Sequence, residues 1–243
     1  MRGVPPNFPQ DHATTHPRPD TVLFDLDGTL IDSGPSILAA LRKALAEEGV
    51  PALPPDAERS LLGPPLYRAL PPLVGDAADR VVRTYRRIFV AEGFAYRAQA
   101  YPGIEALLDG LARHHVRLAV STSKLETSAV TILEHLGLAG RFATICGDTQ
   151  DAGRPTKADV IAETLRRIGE SPRRIGESPR HTGESPLTMM VGDRSHDVIG
   201  AREQGLSCLG AGWGYGSPGE LETAGAVAVL PDPAALAAAW QLA

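Results

Sequence analysis

The sequence predicts an α/β fold: a parallel sheet wrapped by helices, with a small α-helical insert after the first strand. Three observations predict it. A short apolar run ends at Asp25, the chain from about residue 101 alternates helical and strand-type segments, and no convincing strand falls between 34 and 100. Alternation of this kind implies a parallel sheet, because each crossover carries the chain back across a sheet face. The 243 residues suit one domain or a core with a small second unit, and 43% hydrophobic residues can fill a core. A net charge of -5 argues against nucleic acid or an anionic membrane surface as partner. No apolar run approaches the roughly 18 residues of a membrane span. Cys146 and Cys208 are too few for a disulfide framework or a four-ligand zinc site. The 24 basic residues include only three lysines, Lys43, Lys124 and Lys157.

Residues 1–19 hold Pro5, Pro6, Pro9, Pro17 and Pro19 among polar residues, without the apolar stretch of a secretory signal. They predict a disordered tail on a cytoplasmic protein. Thr21-Val22-Leu23-Phe24 predicts a buried strand that empties into a polar loop at Asp25. Ile37, Leu41 and Leu45, with Pro35 in the first turn and Gly49 as the stop, predict a helix over 35–48. A second helix is predicted over 80–90. The proline-rich segment between them must break into short pieces. Residues 34–100 therefore form the helical insert, and 20–33 with 101–243 form the core. Within that core helices are expected at 104–113, up to Gly137, 157–168 and up to Gly205. Strands are expected at 116–121, 143–146, 187–191, 207–209 and 227–230.

One repeat interrupts the core. Residues 166–172 read RRIGESP, 173–179 repeat it, and 180–186 read RHTGESP. Glycine and proline in every heptad rule out a continuous helix, so 173–186 read as a loop insertion from a tandem expansion.

Ligands of such sheets bind beyond the carboxyl ends of the strands. The residues at those ends carry the chemistry. Asp25-Leu26-Asp27-Gly28-Thr29-Leu30 places two carboxylates two residues apart after a strand, and Gly28 allows a tight turn and a close approach of ligand to backbone. One carboxylate of such a pair can attack phosphorus or bind a cation while the other moves protons. Thr122 follows the strand at 116–121, Lys157 opens a helix after Arg154-Pro155-Thr156, and Gly192-Asp193-Arg194-Ser195-His196-Asp197 follows the strand at 187–191.

In this order and spacing the motifs resemble the four motifs of the haloacid dehalogenase (HAD) superfamily, over residues 21 to about 240. The segments Leu62-Gly63-Pro64-Pro65-Leu66, Tyr85-Arg86, Tyr101-Pro102-Gly103 and Gly212-Trp213-Gly214-Tyr215-Gly216 are similar to their counterparts in phosphoglycolate-phosphatase-like members. The resemblance implies a Rossmann-like core, with 34–100 as a cap domain. It implies that Asp25 attacks phosphorus and that Asp27 protonates the leaving oxygen and then activates water. It implies Mg²⁺ held by Asp25, the Asp27 backbone carbonyl and Asp193, with Asp197 behind them holding metal-bound water or a neighbour. Thr122, the Ser123 N–H at a helix start, and Lys157 would bind the phosphate. Lys124, two residues after Thr122, is the alternative cation. Asp27 argues against the true dehalogenases, which lack the second aspartate.

The expected function is therefore Mg²⁺-dependent hydrolysis of a small phosphorylated metabolite, phosphoglycolate-like, by a monomer or homodimer. A phosphomutase, a 5'-nucleotidase-like phosphatase and a non-catalytic binding module are the alternatives. Other readings lack support. Tyr215 breaks the GxGxxG spacing at 210–216, no HExxH or GxSxG occurs, His114-His115 read as a solvated helix end, and His196 reads as a loop residue that the fourth motif does not require.

Overall fold

A computed structural model describes residues 16–149, 153–170 and 187–242. Residues 1–15 and the repeat at 173–186 lie outside them. The six strands of the main sheet are β1 (Thr21–Phe24), β4 (Arg117–Leu125), β5 (Thr144–Asp148), β6 (Thr188–Gly192), β7 (Ser207–Ala211) and β8 (Val229–Leu230). They lie in the order β5-β4-β1-β6-β7-β8, with every neighbouring pair parallel. The architecture is thus the expected α/β one. The chain builds outward from β1 to one edge and then crosses to the other side, so β1 lies at the topological switch point, between β4 and β6.

Period-two alternation sorts the sheet residues between two apolar layers. Val22, Phe24, Leu118, Val120, Met189 and Val191 belong to the larger one, with α6 (Ile104–Arg113), α7 (Glu126–His135) and α11 (Pro233–Ala239). Leu23, Ala119 and Met190 face the smaller one, formed with α8 (Lys157–Arg167), α9 (Ser195–Glu203) and α10 (Glu220–Ala224). Both faces of β1 are covered, which is why its residues read as an unbroken apolar run.

Between β1 and β4 the chain forms α1 (Gly34–Glu47), the short α2 (Pro55–Ser60), α3 (Leu66–Ala69) and α4 (Pro71–Val74), and α5 (Ala78–Ala91). Prolines begin α2 and α4 and stand immediately before α3, so each piece is a turn or two. Helix α5 buries Val81, Val82, Ile88 and Phe89 against α1, and these residues join the larger core layer. Each such side chain contributes about 1.5–3 kcal/mol on burial.

Three details depart from the sequence reading. A strand does fall between 34 and 100: β3 (Gln99–Ala100) pairs antiparallel with β2 (Ile31–Asp32) where the chain enters and leaves the helical segment. Two residues have no periodicity to detect. Strand β4 runs to Leu125, which pairs with Asp148 after an irregularity between Ser121 and Leu125, so Ser123 lies in extended chain and the helix begins at Glu126. Residues 16–19 pack on the core instead of trailing from it: the His16 N–H donates to Ala239 O at 3.1 Å and Pro19 is buried.

Candidate active site

The site forms where the carboxyl ends of β1, β4 and β6 meet. β1 delivers Asp25, and the turn after it reverses at Gly28, where φ is +88°. A Cβ there would come within 2.2 Å of Asp193 Oδ2, so glycine is required both by conformation and by the approach of β6. β6 delivers Asp193, and α9 follows with Asp197 in its first turn, where its carboxylate accepts the Arg194 N–H at 3.0 Å. Lys157 is the first residue of α8. Thr156 caps that helix, accepting the Asp159 N–H at 3.1 Å while Asp159 accepts the Thr156 N–H at 3.0 Å.

These elements bring the Asp25, Asp193 and Asp197 carboxylates within 4.8 Å of one another. Lys157 Nζ lies 2.6 Å from Asp25 Oδ1 and 2.6 Å from Asp197 Oδ1. All four side chains are buried, Asp193 and Asp197 completely. Burial pushes the Asp25 carboxyl up to about 7; Lys157 pulls it down, and Asp197 and Asp27 push it up again. Burial, then Asp197 and Asp25, raise Asp193 as well. For Asp197 burial acts upward, yet Lys157, His196 and the Arg194 N–H outweigh it and hold it below the usual carboxylate range. Burial also opposes the Lys157 charge, but Asp197 and Asp25 overcome it, so Lys157 stays protonated.

Three buried carboxylates around one ammonium leave uncompensated negative charge, which a divalent cation on oxygen ligands would neutralise. The donor set fits Mg²⁺. Asp193 is preset for such a role: it accepts from Thr29 Oγ1 at 3.2 Å and from the Tyr215 N–H at 2.8 Å. Asp27 turns away from this cluster. Its Oδ1 accepts from Ser33 Oγ at 2.5 Å, and Lys124 Nζ lies 3.2 Å from Oδ1 and 3.1 Å from Oδ2. An Asp27 contribution to a metal would therefore come from its backbone carbonyl. The two lysines are partitioned, Lys157 to Asp25 and Lys124 to Asp27. Buried Thr122 accepts the Lys124 N–H at 3.2 Å, leaving its own hydroxyl hydrogen to donate, and Ser123 lines the cavity above.

That cavity, about 260 Å³, lies between the sheet ends and the α1–α5 helices. Asp27, Ser123 and Lys124 border it on the core side, and Tyr67, Tyr85, Arg86 and Phe89 line it from the helical insert. Lys124 Nζ sits 4.8 Å over the Phe89 ring, so it touches both walls. Arg68 Nη1 donates to Pro155 O at 2.7 Å and Arg194 Nη1 donates to Leu62 O, tying the insert to the core on either side.

Several contributors escaped the sequence reading. Ser33 and Asp148 carried no spacing signal. The Gly-rich run 212–216, which fails the GxGxxG spacing and carries only a resemblance, forms a wall of the site. Tyr215 Oη accepts the Ser33 and Gly34 N–H groups at 2.8 and 2.6 Å and lies 2.9 Å from Asp32 Oδ1, while Trp213 Nε1 donates to Thr29 O at 2.9 Å. A Cβ on Gly214 would lie 2.3 Å from Asp193 Cβ and 2.4 Å from Gly28 O. Gly214→Ala is expected to cost about 1–3 kcal/mol, the range for overpacking. It should lower turnover with it, read from a denaturant midpoint alongside phosphate release.

Comparison with known proteins agrees with this geometry. Tyrosine-protein kinase PtkA of Mycobacterium tuberculosis is 38% identical over 199 residues, which cover 82% of this chain and 64% of PtkA. This chain thus spans less than two thirds of that relative. A solved PtkA structure superposes with a TM-score of 0.76 at 34% identity, covering 92% of this chain and 98% of that one. The 5'-nucleotidase of Pseudomonas aeruginosa is 32% identical over 232 residues, covering 93% and 96% of the two chains. The phosphoglycolate phosphatase of Agrobacterium fabrum is 30% identical over 230 residues, covering 83% and 84%. The haloacid dehalogenase-like hydrolase pattern matches residues 22–211, from β1 to the end of β7, and the chain belongs to that family.

Proposed function

We propose that this chain is a Mg²⁺-dependent phosphatase that hydrolyses a small phosphate monoester, with 34–100 acting as a cap over a core of 20–33 and 101–243. The observation that carries the reading is the cluster of Asp25, Asp193 and Asp197 around Lys157, beside a cavity that Asp27 borders. Asp25 attacks phosphorus, and Asp27 gives its proton to the leaving oxygen. Asp27 then takes a proton from water, which attacks the aspartyl-phosphate and frees inorganic phosphate. Lys157 and the Thr122 hydroxyl stabilise the charge on the transferring group, and Lys124 with Ser33 fixes the Asp27 carboxyl toward the leaving group. Asp25, the Asp27 backbone carbonyl and Asp193 would hold Mg²⁺, which would supply Lewis-acid neutralisation of the phosphate. The insert excludes water from the cavity while the ester reacts. The relatives named 5'-nucleotidase and phosphoglycolate phosphatase support a small-molecule substrate, with phosphoglycolate and nucleoside monophosphates as first choices.

Similarity to PtkA favours a second reading, phosphoryl transfer to an acceptor hydroxyl instead of water. Inorganic phosphate released from phosphoglycolate, a nucleoside monophosphate and a sugar phosphate, with no acceptor added, separates the two. Release is expected to vanish with a strong chelator and return with Mg²⁺. Undiminished release in chelator would overturn the metal assignment. The same pair of conditions has a structural readout. Asp25 and Asp193 must be ionised to hold a cation, and burial raises both. The increase in melting temperature on adding Mg²⁺ should therefore be larger at pH 7.5 than at pH 5.

A further inference from the structure

A phenol from a distant segment meets the first residues of the helical insert. Ser33 holds the N-cap position of α1, where a serine hydroxyl ordinarily turns back to accept a first-turn amide. Here the side chain makes no capping bond; its Oγ donates to Asp27 Oδ1 at 2.5 Å instead. The start of α1 is held from outside. Tyr215, 182 residues further on, accepts the Ser33 N–H at 2.8 Å and the Gly34 N–H at 2.6 Å on its Oη. The same oxygen donates its own hydrogen to Asp32 Oδ1 at 2.9 Å. Burial, and then the charge of Asp27, hold the Tyr215 phenol far above its ordinary range, so it keeps that hydrogen.

Ser33 is completely buried, and Gly34 is buried as well. A buried amide without an acceptor is costly, so the two N–H groups at this helix start need a partner. Without one the segment would have to move to find it, and the Ser33 hydroxyl would move with it. Tyr215 satisfies both amides and leaves Ser33 where its hydroxyl meets Asp27, in a charge-assisted bond of the stronger class. The Tyr215 ring packs on the same turn, since a Cβ on Gly34 would lie 3.1 Å from its Cε1. Neither Ser33 nor Tyr215 borders the cavity, so both stand behind Asp27.

We propose that the Tyr215 hydroxyl is a positioning group for general acid catalysis. It holds the start of α1 in place of Ser33, and so frees the Ser33 hydroxyl to orient the Asp27 carboxyl toward the leaving oxygen. The inference rests on the phosphatase reading above and assigns to that site a residue two steps removed from the substrate.

The test uses the full chain and two esters of one shape. The alcohol of p-nitrobenzyl phosphate needs a proton to leave, whereas p-nitrophenyl phosphate releases a stabilised phenolate that needs little help. Both are compared in kcat/KM, which ends at the aspartyl-phosphate and so excludes the later activation of water. Tyr215→Phe keeps the ring and the backbone bond to Asp193. It should lower kcat/KM by about 10- to 100-fold for the benzyl ester, part of what a general acid supplies, and by less than about threefold for the phenyl ester. Ser33→Ala should show the same selective loss, and the double variant should lose no more than Ser33→Ala alone. Equal losses on the two esters would reduce Tyr215 to a structural role and overturn the proposal. Additive losses in the double variant would overturn the route through Ser33. Amide hydrogen exchange reads the helix start without turnover: exchange at Ser33 and Gly34 should rise by about tenfold or more in Tyr215→Phe. Unchanged exchange would overturn the hold on α1. If neither these esters nor those named above release phosphate from the wild-type chain, the phosphatase reading fails and the acid role fails with it, while exchange still decides whether the hydroxyl holds the helix.

Discussion

Asp25→Asn is expected to abolish phosphate release, by about 10³-fold or more, while leaving the chain folded. The substitution keeps the shape of the side chain and removes the charge that attacks phosphorus, and nucleophiles removed from such sites cost losses of at least this order. Its effect on stability distinguishes a chemical role from a structural one. Burial raises the Asp25 carboxyl to about 7, well above its ordinary range. A carboxyl raised in the folded state binds more protons there than in the unfolded chain, so stability falls as pH rises from about 4 to 7. With chelator present, the wild-type chain should lose stability between pH 5 and pH 8, and Asp25→Asn should lose less over that interval. Denaturant midpoints at the two pH values measure this. A variant that kept full phosphatase activity would sink the assignment of Asp25 as nucleophile.

Lys157→Arg is expected to lower kcat/KM by about 10²–10³-fold, whereas Lys43→Arg should leave it within twofold. The two lysines differ in surroundings more than in chemistry. The Lys43 side chain is 54% exposed and pairs with Glu92 on the insert, whereas that of Lys157 is 2% exposed and reaches two carboxylates at 2.6 Å each. A compact ammonium fits between Asp25 and Asp197; a planar guanidinium fork is wider and would have to displace one of them. Lys157→Met should lose as much activity and in addition destabilise the chain by about 3–5 kcal/mol, because it strands buried carboxylates without their cation. Mg²⁺ should recover part of that stability, since the stranded carboxylates are the ones expected to hold it. Melting temperatures of both variants with and without Mg²⁺, beside steady-state rates, check the pair. Equal rates in Lys157→Arg and wild type would remove the reason for a lysine at this position.

The parts of the site legible in the sequence are those whose residues act through local chain geometry. Asp25, Asp27 and Gly28 follow an apolar strand, Asp193 and Asp197 straddle a helix start, and Lys157 follows a capping threonine. Each arrangement is visible within a few residues because a strand end or a helix cap imposes it. Ser33, Arg86, Asp148 and Tyr215 were not legible as site residues because no local rule marks them. They reach the site from separate segments of chain, and only the packing of α1, α5, β5 and the β7–α10 segment brings them there. Strand β3 and the late start of α7 went unread for a related reason: two residues carry no period, and the irregularity in β4 leaves no compositional trace.

Local chemistry along the chain is enough to specify the α/β class, the strand ends that bear the carboxylates and the capped helix start that carries Lys157. Hydrophobic period and capping chemistry act over a handful of residues and are written in the chain. The tertiary structure alone decided which lysine faces which aspartate, that Asp197 touches Lys157 directly, that the 212–216 run supports Asp193, and that the Tyr215 hydroxyl meets the amides at the start of α1. Those facts depend on distances between segments far apart in sequence. Only the packed sheet and the helical insert fix such distances, because the charge balance of a buried site is a property of everything that closes around it.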